Sequence, residues 1–241
     1  MTAYRVRPGS QEEKVGRLII AAVLLVVLPG VPFGNFLIYP FTILTTWFHE
    51  MGHGLTALLL GHGFEQLVIY ADGSGYAESA FYSAPGALPS ALIAAGGPIG
   101  PVMAGSALIL ASAREKYWQP ALMVLAGVMA LSVLVWVRSV TGWIVLPLLA
   151  GALGYIAWRG SDWLKQFSLQ FLGVVGAMSM FRDWDYLFSE SAFVGGRMMP
   201  SDTGAIEEAL LLPHWLWAAM IVGVSGLMIG ASLKYALNRE G

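Results

Sequence analysis

From residue 41 to residue 61 the chain reads FTILTTWFHEMGHGLTALLLG, a segment apolar enough to enter a bilayer with His49, Glu50 and His53 in its middle. Ionisable side chains near mid-membrane are costly and by default functional, facing a bundle interior or a cavity. A soluble helix would simply turn these groups to water. Composition closes that route. Apolar residues make up 57 % of the 241, charged residues only 12 %, and mean hydropathy is +0.67. A soluble domain carries about 25 % charged residues. Thirteen Lys plus Arg and fifteen Asp plus Glu cannot coat a wet surface of this size. The chain reads as an integral, multi-pass membrane protein.

The formal net charge of -2 leaves no basic patch for a nucleic-acid backbone, so no nucleic-acid partner is expected. With no cysteine, disulfides, iron–sulfur clusters and thiol nucleophiles are excluded. Metal ligands must then come from His, Asp or Glu, and there are only four His.

Residues 1–17 form a polar tail, followed by a first span over 18–39 that loosens at Pro29-Gly30-Val31-Pro32, where missing N–H donors break the ladder. The 41–61 segment is the second. Within a loop at 62–89, the β-prone runs 67–70 and 76–82 flank Asp72-Gly73-Ser74-Gly75, which signals a hairpin. Later spans are expected near 90–112, 120–137, 141–158, 165–181 and 213–234, each close to the roughly 20 residues that cross the hydrocarbon. GGPIGP at 96–101 permits close helix approach or a local break. A polar loop covers 182–212. The fold class is therefore an all-α polytopic membrane protein in one domain, 1–241, with a small β-hairpin or re-entrant region after the second span. Seven crossings would divide the basic residues seven inside to six outside; removing one before Arg114 makes it ten to three. The positive-inside rule prefers the second count, and six or seven spans are both carried forward.

His49-Glu50-Met51-Gly52-His53 is HExxH. Side chains four apart share a helix face, so both imidazoles reach one cation while Glu50 can take a proton from water beside it. That division of labour belongs to zinc peptidases. The plainer alternatives are interhelical hydrogen bonding by the three groups, or a proton relay in a transporter. A zinc hydrolase normally has a third protein ligand. His62 lacks the HExxHxxGxxH spacing, and His214 beside Pro213 suits a membrane interface. Acids are the better candidates. Asp183 and Asp185 end the 165–181 segment, aimed about 200° apart if helical. The pair is taken as the ligand source, with a lean to Asp183 because it lies closer to the membrane segment. Asp202 in PSDTGAIEE reads first as a helix cap or loop acid.

WFHEMGHGLTALLLG at 47–61, LVIYADGSGYAES at 67–79, AAGGPIGP at 94–101, FRDWDYLF at 181–188 and SDTGAIEEALLLPHWLW at 201–217 together give the chain its likeness. In that order they resemble the M50 peptidases, the site-2-protease class of intramembrane zinc metalloproteases, most closely an M50B-like branch. The resemblance implies that His49 and His53 bind zinc and that Glu50 is catalytic. The family's third ligand usually lies in an NxxPxxxxDG or LDG context, which is absent here. The branch has instead an acidic pair like Asp183 and Asp185 and an SDA-like element matching 201–203. No PDZ-like insert is present. The expected function is endoproteolysis in or near transmembrane segments, with a membrane protein or peptide as substrate and the lipid bilayer as surroundings. A transporter or chaperone-like binder retaining the same fold is the alternative. The lack of a targeting extension points to a bacterial cell membrane.

Overall fold

The computed structural model describes residues 10–238. The chain is mostly helical. Helix α1 spans Gln11–Val27, with Ser10 as N-cap accepting from Glu13 N–H at 3.3 Å. Residues 11–17 of the expected polar tail are thus helical, while residues 1–9 lie outside the described residues. Pro29 and Pro32 do more than loosen the first span. The α-helix stops at Val27, a 3-10 turn covers Leu28–Gly30, and Phe33 takes a left-handed conformation at φ 62° before α2 (Gly34–Leu59) begins. Residues 34–39 therefore belong to the HExxH helix, because the two prolines delete adjacent donors from the ladder.

The expected hairpin is present. Strand β1 (Gly63–Ile69) pairs antiparallel with β2 (Gly75–Ala80). At its tip Asp72 accepts from both the Ser74 N–H and the Ser74 hydroxyl, at 2.9 and 2.7 Å. Those two donors hold the Asp72 carboxyl below the usual carboxylate range. The outer edge of β1 is occupied. Leu67 N–H donates to Trp136 C=O and Leu67 C=O accepts from Arg138 N–H, both at 2.8 Å. Because Leu67 spends both groups there, its β2 partner Ala77 directs its own N–H and C=O to the opposite, free edge.

Helices α3 (Ala87–Ser112), α4 (Trp118–Val135), α5 (Val140–Arg159), α6 (Asp162–Arg182) and α9 (His214–Asn238) follow the expected spans closely. Among the described residues, four helical segments are long and apolar enough to cross a membrane: Ala87–Ser112, Glu115–Val135, Val140–Arg159 and His214–Asn238. Helix α6 is more polar because it is enclosed by protein, burying Gln166, Ser168, Gln170 and Ser179. It packs on α3 through Gly105, Gly173 and Gly176, where a Cβ on any of the three would strike the facing backbone or Ile109. Helix α3 runs unbroken through Pro98 and Pro101, so GGPIGP serves close approach rather than a break. A Cβ on Gly96 would lie 2.7 Å from Gly52 C=O, and one on Gly100 2.5 Å from Phe48 C=O.

The 182–212 region is more ordered than a polar loop. It contains the short helix α7 (Trp184–Leu187), a second hairpin of β3 (Ser191–Val194) and β4 (Arg197–Pro200), and α8 (Asp202–Leu210). Its turn at Gly195 lies against the Tyr70 ring of the first hairpin. Sequence reading missed this second hairpin because RMMP carries neither alternation nor β-branched residues.

Candidate metal centre

Both imidazoles project from one face of α2, their ring centroids 4.9 Å apart. His53 Nδ1 is 2.7 Å from Ile93 C=O on α3. A carbonyl only accepts, so the His53 proton resides on Nδ1 and the lone pair of the neutral ring sits at Nε2. The Nε2 atoms of both rings face Gly97, where a Cβ would lie 2.7 Å from His49 Nε2 and closer still to His53 Nε2. Only hydrogen at that position leaves the two nitrogens free to converge. GGPIGP therefore makes room for the imidazoles as well as for the helix crossing.

The acid brought to this pair is Asp202. Its Oδ2 lies 3.0 Å from His49 Nε2 and its Oδ1 3.2 Å from His53 Nε2. These three residues form one group able to hold a metal ion. Neither Asp183 nor Asp185 joins them, which corrects the expectation that the acidic pair would meet the histidines. Helix α6 ends at Arg182 and Asp183 caps it, leaving Asp183 on a neighbouring cavity wall and Asp185 exposed on α7. Asp202 arrives instead because α8 folds back over the bundle. Ser201, not Asp202, is the N-cap, accepting from Gly204 N–H at 3.0 Å. The Ser201 hydroxyl also donates to Ser189 C=O, and the Thr203 hydroxyl donates to Leu187 C=O at 2.7 Å. With its neighbours anchoring the turn, Asp202 is released from capping and points inward, at the first position of a helix that favours negative charge. The Ser-Asp order was the available signal: one cap suffices, so the second residue is free for another task.

Asp202 is 7 % exposed and its Oδ2 has no hydrogen-bond donor. In its neutral, metal-binding form His53 turns its Nε2 lone pair to one carboxylate oxygen, while the other oxygen is without a hydrogen-bond donor. Acceptors that face each other at about 3 Å are stabilised by a cation between them. The donor set therefore fits a divalent ion of the zinc type, two imidazole nitrogens and one carboxylate.

Glu50 is 4 % exposed, yet it lines two cavities that meet at His49 and Tyr186. Its carboxylate accepts from Ala77 N–H, one of the outward-facing groups of β2. The cavity of about 380 Å³ runs along β2 past Gly75, Ala77 and Ser79, with Ile93, Val194 and Met199 opposite. The second, about 280 Å³, is lined by Thr42, Thr46, Ser74, Arg182 and Asp183 and is the more polar. Tyr186 stands between them. Its ring is 6.2 Å from that of His49, and its hydroxyl is near the backbone N–H and carboxylate of Asp202. Gly97, Ala77 and Tyr186 carried no sequence signal beyond their surroundings. The remaining histidines lie elsewhere: His62 packs edge-on against Phe81, and His214 bonds Glu207 at 2.9 Å.

Comparison with known families finds a match to the family described as Peptidase M50B-like, over residues 17–232. No curated protein and no solved structure matches.

Proposed function

The chain belongs to the Peptidase M50B-like family, and from that premise we propose that it is a zinc-dependent intramembrane endopeptidase. The observation that carries the proposal is the convergence of His49 Nε2, His53 Nε2 and the Asp202 carboxylate beside the buried carboxylate of Glu50. His49, His53 and Asp202 would hold the ion. When bound, zinc supplies Lewis acidity to a water molecule and to the scissile carbonyl. Glu50 accepts the proton that the attacking water loses and passes it to the leaving amine. Ala77 N–H holds that carboxylate toward the cavity.

The free edge of β2 gives an unwound peptide somewhere to pair. A helical peptide bond is shielded by its own hydrogen bonding, whereas a strand laid along Gly75, Ala77 and Ser79 exposes its carbonyls. Water reaches Glu50 by the second cavity, lined by threonine hydroxyls, Ser74 and Asp183.

We place six crossings in the membrane, one of them made by α1 and α2 together. Support comes from the buried chain in which Arg17 Nη2 donates to Gln166 Oε1 at 2.6 Å and Gln166 Nε2 donates to Ser112 C=O at 3.2 Å. The start of α1 and the end of α3 therefore share one end of the bundle, so an even number of crossings separates them. That is the arrangement the positive-inside rule prefers.

The test uses full-length protein in detergent. Wild type should contain about one zinc per chain, the H49A/H53A protein almost none. E50Q should keep zinc and lose cleavage of a validated membrane substrate. Full cleavage by E50Q would refute the mechanism, and undiminished zinc in H49A/H53A would refute the site.

A further inference from the structure

At the end of the bundle away from the hairpins, a groove of about 660 Å³ runs between the C-terminal turns of α3 and α9. Its floor is apolar, with Leu110, Ala111, Met228 and Ala231. Two serines interrupt it. Ser232 donates to Ile229 C=O at 2.8 Å, whereas the Ser106 hydroxyl, in a residue 6 % exposed, has no partner. The mouth is cationic and aromatic. Arg114 Nη2 donates to the Tyr235 hydroxyl at 3.1 Å, which fixes the guanidinium over the opening. Lys116 stands beside it, Nζ 4.9 Å from the Tyr117 ring centroid.

Among the described residues, neither Arg114 nor Lys116 has a carboxylate within ion-pair distance. Arg114 follows directly on the apolar α3, which ends at Ser112, so the two cations sit where a leaflet's headgroups lie. Tyr117 and Tyr235 are the amphipathic residues expected at that depth. A fixed guanidinium and a lysine above an apolar trough match one kind of molecule, with a phosphate at one end and hydrocarbon at the other.

We propose that this groove binds an anionic phospholipid, its phosphate on Arg114 and Lys116 and an acyl chain along Ala111, Met228 and Ala231. The partner is a membrane lipid and not free phosphate, because the two cations sit at the mouth while most of the groove is hydrocarbon-lined. Binding joins α3 to α9 beside the Arg114–Tyr235 hydrogen bond.

The test is native mass spectrometry of the full chain in detergent, titrated with phosphatidylglycerol or phosphatidylcholine. Wild type should retain phosphatidylglycerol in preference, and R114Q and K116Q should each weaken that retention about fivefold. A231W, which fills the trough at a lipid-facing position and leaves the charges, should reduce retention of both lipids. Inorganic phosphate at millimolar concentration should not displace the lipid. Circular dichroism and zinc content report that each variant is folded, since none of these residues touches the metal centre. Equal retention of the two lipids by wild type, wild-type retention by R114Q/K116Q or by A231W, or displacement by phosphate would each overturn the proposal.

Discussion

Asp202 shows how a single carboxylate is recruited. It shares a turn with Ser201 and Thr203, and both neighbours spend their hydroxyls on the 187–189 backbone. The acid between them faces the two imidazoles, with the Tyr186 hydroxyl beside it. D202N should therefore lower zinc from about one per chain to a small fraction, whereas D183N and D185N should retain most of it, measured by metal analysis of purified protein. Zinc loss in D183N with D202N intact would return the assignment to the acidic pair. Gly97 makes the complementary case. Ala normally stabilises a helix interior by about 1 kcal/mol over Gly. At 97 the added methyl would collide with both Nε2 atoms, so G97A should lose at least about tenfold in zinc affinity with α3 still formed. Equilibrium dialysis and helical content read the two effects separately. That His49, Glu50 and His53 would stand together was legible in the sequence because spacing and an apolar setting are local facts. The acid was not legible: Asp183, Asp185 and Asp202 are all near polar segments, and only the backward fold of α8 selects one.

Elements carry the next level of organisation, and here hydrogen-bond direction decides function. Along β2 the outward groups belong to Gly75, Ala77 and Ser79, while Tyr76 and Glu78 turn theirs to β1. Proline should then act by alternation. A77P removes the N–H that Glu50 accepts and should abolish cleavage with zinc retained, whereas Y76P removes a ladder donor and should unpair the hairpin. Equal effects at both positions on hairpin structure, followed by amide exchange, would remove the argument for an exposed edge. At the other wall, S201A deletes a cap worth about 1 kcal/mol and should loosen α8, seen as faster amide exchange over 202–210 and weaker zinc binding. The first hairpin was readable from Asp-Gly-Ser-Gly between β-prone runs. The second was not, since β3 and β4 are short and their pairing depends on Gly195 and Gly196 at positive φ.

For the molecule as a whole, charge asymmetry orients the bundle. Arg17, Arg114, Lys116 and Lys165 gather at the end opposite the hairpins, while Arg138, Arg182 and Arg197 lie toward them. The first group should face the cytoplasm. The absence of cysteine makes the test direct. In intact cells an impermeant maleimide should label S191C but not E115C, and permeabilisation should expose E115C; the reverse pattern would invert the orientation. The helical bundle was legible from hydropathy, down to the boundaries of α3, α5 and α9. The joint crossing proposed for α1 and α2 was not, because a run of apolar residues gives length but not direction.

The centre also has an order of construction, which follows from where its parts lie along the chain. Glu50 meets Ala77, His53 meets Ile93, and Asp202 closes the group last. A ribosome adding about 5–20 residues per second leaves α2 waiting roughly 8–30 s between the appearance of His49 and that of Asp202. During that interval the hairpin and α3 are already made. They can shelter the carboxylate of Glu50 and fix the proton of His53 well before the acid exists, so the base is seated first, the imidazole next and the ligand from α8 at the end. A nascent chain halted before residue 202 would hold an oriented Glu50 and His53 with no acid to complete the site, and so would pass through the translocon without the third member of the proposed metal centre.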